Sequence, residues 1–197
     1  MGLSIRLFCA IIVTSMVNTS ALAAPKLSVR KEMVNGIPAY LINTKNGNES
    51  FLATNISIGS MNDEPVHHAG RAHLWEHVIH AGSKKHPGQR TFEELTARLG
   101  LSTNAYTSNN QIFYYGGMHT SSFDEWAQIL GGMVSEPEWN EDTFNKEKGA
   151  VMNEALEYQK QDMQALDSAI NLHLTKPGHR FRMYEVGTQD QLKAMTL

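Results

Sequence analysis

Residues 70–86 read Gly70-Arg71-Ala72-His73-Leu74-Trp75-Glu76-His77-Val78-Ile79-His80-Ala81-Gly82-Ser83-Lys84-Lys85-His86. As a helix, this stretch puts positions i, i+3 and i+4 on one face, so His73, Glu76 and His77 point the same way. Two imidazoles at that spacing can grip one zinc ion, and the carboxylate between them can take a proton from a metal-bound water. The order is the inverted H-x-x-E-H pattern. The chain holds nine His, so the spacing by itself also suits a solvated polar helix face. The periodicity predicts a helix from about Gly70 to a stop at Gly82, with Ala72, Leu74, Trp75, Val78 and Ile79 packing away from His73 and His77. His80 shares the site face. Three ligands from one short helix rarely reach tetrahedral angles, so His80 is expected to line the pocket.

On the N-terminal side, Lys26–Val34 alternates loosely, Pro38–Ile42 is a short apolar run of Ala39, Tyr40, Leu41 and Ile42, and Phe51–Ile58 alternates apolar and polar residues; together they predict three strands. Asn35-Gly36 forms a tight turn between the first two. The order suggests a meander edge to a sheet. The loop 59–69 carries His67 and His68, expected to be solvated rather than metal-bound. On the C-terminal side, Thr91–Leu99 predicts a helix capped by Thr91. Leu101–Thr107 and Gln111–Met118 form a hairpin around Ser108-Asn109-Asn110. Ser122–Met133 is amphipathic, Glu136-Pro137-Glu138 breaks it, and Asn140 to about Leu172 reads as one long helical region ending before Lys176-Pro177-Gly178. The pattern predicts an α+β fold, a mostly antiparallel sheet with helices packed on one side.

Hydrophobic content of 41% and charged content of 19% suit one globular domain, and a net charge of −3 argues against a nucleic-acid partner held by a basic surface. Residues 1–23 read as a cleavable signal peptide: Arg6, the apolar run Leu7–Val17, then Ala21-Leu22-Ala23. Its removal takes away one cation and lowers the charge to −4. The run is too short and too broken by Thr14 and Ser15 to serve as a stable membrane anchor. The single Cys9 lies inside it, leaving no thiolate ligand in residues 24–197. A periplasmic or secreted location follows as the expectation.

Zinc in a catalytic geometry needs a third protein ligand. Glu147, Glu154 and Glu157 on the long helix are candidates. Glu147 and Glu154 are two turns apart and share a face, so one could bind the ion and the other support it. Spacing alone does not say which.

These residues carry a resemblance to the pitrilysin/insulinase family of zinc peptidases. The matching elements are Gly70-x-Ala72-His73-x-x-Glu76-His77, Gly82-Ser83-Lys84-Lys85-x-Pro87, and Gly100 followed by Asn104-Ala105-Tyr106-Thr107. Tyr114-Tyr115, Glu147-x-x-x-Val151-x-x-Glu154 and Gly187 before Leu192 continue the match. It spans nearly all of residues 24–197, in order. The resemblance implies that His73, His77 and Glu154 bind one zinc per chain, that Glu76 is the general base, and that Glu147 is the supporting acid. It implies that Asn104 and Ala105 belong to an edge strand whose backbone pairs with an extended peptide substrate. Arg71 and His80 depart from the small or apolar residues common at those positions. Family domains continue past the position of Leu197, and the peptidases close two or more homologous domains around substrate. Residues 24–197 are therefore expected to be an N-terminal zinc-peptidase domain that is C-terminally incomplete. The alternative is a non-catalytic or half-enzyme module of the same fold that needs a partner domain.

Overall fold

The computed structural model describes residues 28–34, 36–43, 48–63, 69–180 and 185–197. The signal sequence at 1–23, Cys9, the turn residue Asn35, and His67 and His68 lie outside the described residues. The chain divides into two compact units, Met1–Asn46 and Gly47–Leu197.

In the first unit, β1 (Ser28–Val34) and β2 (Ile37–Asn43) pair antiparallel from Val34↔Ile37 to Ser28↔Asn43. Gly36 at φ 82° supplies the left-handed turn position that a Cβ would disfavour. Val29, Met33, Ile37 and Tyr40 are exposed.

The second unit is built on a three-stranded antiparallel sheet: β3 (Glu49–Ile56), β4 (Ser102–Thr107) and β5 (Ile112–His119) in the order β3-β5-β4. In place of the expected meander order, β3 pairs along its whole length with β5 among the described residues, from Glu49↔His119 to Ile56↔Ile112. Its partner lies some sixty residues onward, beyond the reach of local pattern. The expected β4–β5 hairpin is present, from Thr107↔Ile112 to Ser102↔Gly117.

One face of β5 presents Ile112, Tyr114 and Met118, all buried. They pack with Trp126, Ile129, Leu130 and Met133 of α3 (Phe123–Ser135) and with Phe92 of α2 (Gln89–Leu99). Gly116 makes room for the Trp126 indole, which a Cβ there would meet at 3.0 Å. α2 begins at Gln89, with Gly88, three residues earlier than the expected Thr91, before its first turn; Glu138 accepts the Gly88 N–H at 2.6 Å and fixes that start.

The helix α1 (Arg71–His80) lies between two cores. Ala72 and Ile79 join the sheet core, while Leu74 and Val78 join a second core with Phe144, Val151 and Ala155 of α4 (Glu141–Gln159). Leu192 of α6 (Gln189–Ala194) and Met195 complete that second core. The apolar residues thus occupy both flanks of α1 rather than one opposite face.

The predicted single helix over 140–172 is two. After α4 the chain turns at Lys160-Gln161, with N–H groups bonded to Glu157 and Tyr158 carbonyls, and resumes as α5 (Asp162–Leu174). Gln161 is extended, at φ −89° and ψ 124°. Among the described residues, no helix is long and apolar enough to cross a membrane.

Candidate metal centre

Two devices hold the start of α1. The buried Asp63 carboxylate accepts the Gly70 N–H at 3.0 Å and the Ala72 N–H at 3.1 Å, satisfying donors that an α-helix leaves open. Burial pushes the Asp63 carboxyl up to about 6, against the opposing pull of those N–H groups. Gly70, at φ 90°, lies against the Val186 carbonyl, and Gly187, at φ 80°, lies against the Ala69 carbonyl; a Cβ on either would overlap backbone.

With α1 fixed, His73, Glu76, His77 and His80 all line one cleft of about 430 Å³. α4 contributes Glu147 and Glu154 to the same cleft. Glu154 Oε2 lies 3.8 Å from His73 Nε2 and 3.3 Å from His77 Nε2. One ligand atom from each of the three residues lies within 4.8 Å of the others. Ligand atoms about 2.1 Å from a tetrahedral zinc stand roughly 3.4 Å apart, so this donor set, two imidazoles and a carboxylate, fits the ion in size and in kind. Glu147 is buried and sits behind His77, its Oε2 3.5 Å from Nδ1. An N–H at Nδ1 leaves the Nε2 lone pair facing Glu154, the arrangement in which an outer carboxylate orients a ligating imidazole.

The two imidazoles titrate in opposite directions. Burial, helped by the neighbouring His77, pushes His73 down to about 4. Burial also pulls His77 down, but the carboxylates of Glu147 and Glu154 outweigh it and raise His77 to about 9. Glu154 is held below the usual carboxylate range, chiefly by its contact with His77.

Glu76 is buried beside these groups. The Thr107 hydroxyl donates to Glu76 Oε2 at 2.6 Å, and the Tyr114 hydroxyl donates to the Glu76 backbone carbonyl at 3.3 Å. Burial pushes the Glu76 carboxyl up, opposed by the Thr107 hydrogen bond. A raised carboxyl with one oxygen anchored and the other open is suited to accept a proton.

Asn104 and Ala105 lie on β4, the edge strand of the sheet, and both line the cleft. Asn104 Oδ1 accepts the Ala105 N–H at 2.8 Å. His80 lines the cleft as expected, edge-on to Phe92 at 4.9 Å, with its Nε2 buried and unpartnered among the described residues. Glu157 is turned away, exposed and paired with Lys160 at 2.7 Å. Sequence reasoning missed Asp63, Thr107, Tyr158 and Glu185. Thr107 closes a quoted motif, and Tyr158 falls one turn after Glu154; the other two carry no local signal.

The family profile of insulinase, peptidase family M16, matches residues 39–185. An insulin-degrading enzyme homolog of Dictyostelium discoideum is 29% identical over 162 residues, covering 82% of this chain and 16% of that protein. The A-factor-processing enzyme of Saccharomyces cerevisiae is 26% identical over 161 residues, with the same shares of 82% and 16%. The human insulin-degrading enzyme is 28% identical over 123 residues, 62% of this chain and 12% of that one. In fold, the crystal structure of pitrilysin superposes with a TM-score of 0.72 at 22% identity, over 85% of this chain and 18% of that one. A protease from Helicobacter pylori superposes with a TM-score of 0.76 at 17% identity, over 87% and 41%. The chain spans about a sixth of the length of the curated relatives named first. With three quarters of its residues inside the matched profile, the chain belongs to the insulinase family of peptidases, peptidase family M16.

Proposed function

We propose that this chain is the zinc-binding domain of a metalloendopeptidase that hydrolyses bonds in extended peptides or small unfolded proteins. The observation that carries this reading is the approach of His73 Nε2, His77 Nε2 and Glu154 Oε2 within 4.8 Å, beside the buried Glu76. His73, His77 and Glu154 would hold the zinc, and Glu147 would orient His77. When bound, zinc supplies a Lewis acid that acidifies a water and polarises the scissile carbonyl. The peptide pairs its backbone with the β4 edge at Asn104 and Ala105, which sets the scissile bond across the cleft. Glu76 takes the proton from the attacking water at its open oxygen while Thr107 holds the other. As the new C–O bond forms and the C–N bond breaks, Glu76 passes that proton to the leaving nitrogen.

The names of relatives support the zinc assignment, since one is a putative zinc protease of Caenorhabditis elegans. Replacing Glu76→Gln tests the reading directly. Zinc content by atomic absorption should stay at one per chain, and cleavage of a quenched peptide should fall by at least a hundredfold; retained cleavage sinks the role of Glu76.

Since the chain covers about a sixth of its relatives, the second reading is a half-enzyme that needs a further homologous domain or chain. Stoichiometric zinc with no turnover by the chain alone, and turnover on adding the partner, selects it. We further propose that residues 1–23 direct export to the periplasm or outside and that 24–197 form the working domain. A reporter fused after Ala23 that stays cytoplasmic in a bacterial host overturns that assignment.

A further inference from the structure

Glu185 lines the same cleft, half-buried, and none of the assignments above uses it. Its backbone is not free to drift, because the next two residues, Val186 and Gly187, interlock with Gly70 and Ala69 at the start of α1. Among the described residues, no cation and no hydrogen-bond donor meets its carboxyl. Burial first, then the Glu76 carboxylate, pushes the Glu185 carboxyl up to about 7. Placing an acid where neither water nor a partner fully solvates it costs free energy in the resting protein.

The lining of the cleft is dominated by acids, with His77 as its cationic group beside Glu147 and Glu154. Four carboxylates line the cleft, Glu76, Glu147, Glu154 and Glu185, and no Lys or Arg does among the described residues. A divalent ion held by His73, His77 and Glu154 would offset two of those four charges. Among the described residues, no Lys or Arg lines the wall at Glu185, and on the reading above the guest of the cleft is a peptide.

We propose that Glu185 is a specificity-determining residue, whose carboxylate receives the side chain of a lysine or arginine on one side of the bond to be cut. The proposal rests on the peptidase reading for the identity of the guest, a peptide, but not for its readout. A cation arriving at Glu185 exchanges an uncompensated acid for an ion pair in a partly desolvated place, where charge pairing is stronger than at an open surface.

The test uses the full chain loaded with zinc and carrying Glu76→Gln, so that peptides bind without being cut. A single lysine is moved through successive positions of an otherwise uncharged fluorescent peptide, each with a norleucine control of matched length, and binding is followed by anisotropy. At one position lysine should bind about fivefold to tenfold tighter than norleucine. That ratio should fall to near one with Glu185→Gln and survive in part with Glu185→Asp; circular dichroism and zinc content establish that both variants are folded. A ratio unchanged by Glu185→Gln, or no preference at any position, overturns the proposal. Failure of the peptidase reading shows elsewhere, as no cleavage of any peptide by the zinc-loaded chain with Glu76 intact, either alone or with a further homologous domain added, and leaves the binding ratio readable.

Discussion

α4 and α5 look alike in sequence and differ in everything the fold makes of them. Both mix Leu, Met or Val with acids and amides at helical spacing. In α4, Phe144, Val151 and Ala155 are buried against α1 and α6, which turns Glu147 and Glu154 toward the two imidazoles. In α5, Met163 is 66% exposed and Leu174 79%, and Leu166 and Ile170 are also exposed. The periodicity of a helix therefore says which residues share a face, not whether that face meets anything. A partner element supplies that information, and α1 is the partner α4 has.

The contrast can be broken by substitution. The largest effect is expected from Glu154→Ala, which should lower zinc affinity by more than about 100-fold in competition with a chelating dye, since first-ligand loss exceeds the tenfold to hundredfold typical of outer partners. Its counterpart on α5, Asp167→Asn, should leave affinity within twofold; a comparable loss there would erase the distinction. Next, Val151→Ala should cost about 2 kcal/mol in urea unfolding under chelator, two methyl groups plus the cavity they leave. Leu166→Ala on α5 should stay within about 0.5 kcal/mol. Glu147→Gln should weaken zinc about tenfold or more without unfolding the chain, by releasing His77 Nδ1.

A pH dependence of the chelated chain sharpens the same comparison. The folded pKa of His77 is raised to about 9 from 6.5. Its stabilising pairing with Glu147 and Glu154 is then fully present below pH 6.5 and is lost as pH rises through 9. Unfolding midpoints should decline across that window in the parent and flatten in Glu147→Gln; a flat parent profile would place His77 outside the pair. Zinc binding near pH 7 should release a proton for the same reason, readable by calorimetry in buffers of different ionisation enthalpy.

How much of this was legible followed the reach of each interaction. His73, Glu76 and His77 are four residues apart at most, so helical geometry alone brought them together. Glu154 could be named only through family resemblance, because Glu147, Glu154 and Glu157 were equivalent by spacing until α4 acquired a neighbour that left Glu157 outside with Lys160. The pairing of β3 with β5 and the hold of Asp63 on α1 depend on chain closures that no local pattern encodes. The turn at Lys160-Gln161 contains neither glycine nor proline, so nothing in composition marks it.

The backbone contact between Gly70 and Gly187 has a consequence for how this protein can vary. A crowded pair of side chains can be repaired by shrinking one when the other grows. Here both members are already at the smallest size available, so neither can compensate for the other. The two codons are yoked without any path of mutual rescue, and a lesion at Gly187 is inherited by a helix more than a hundred positions upstream.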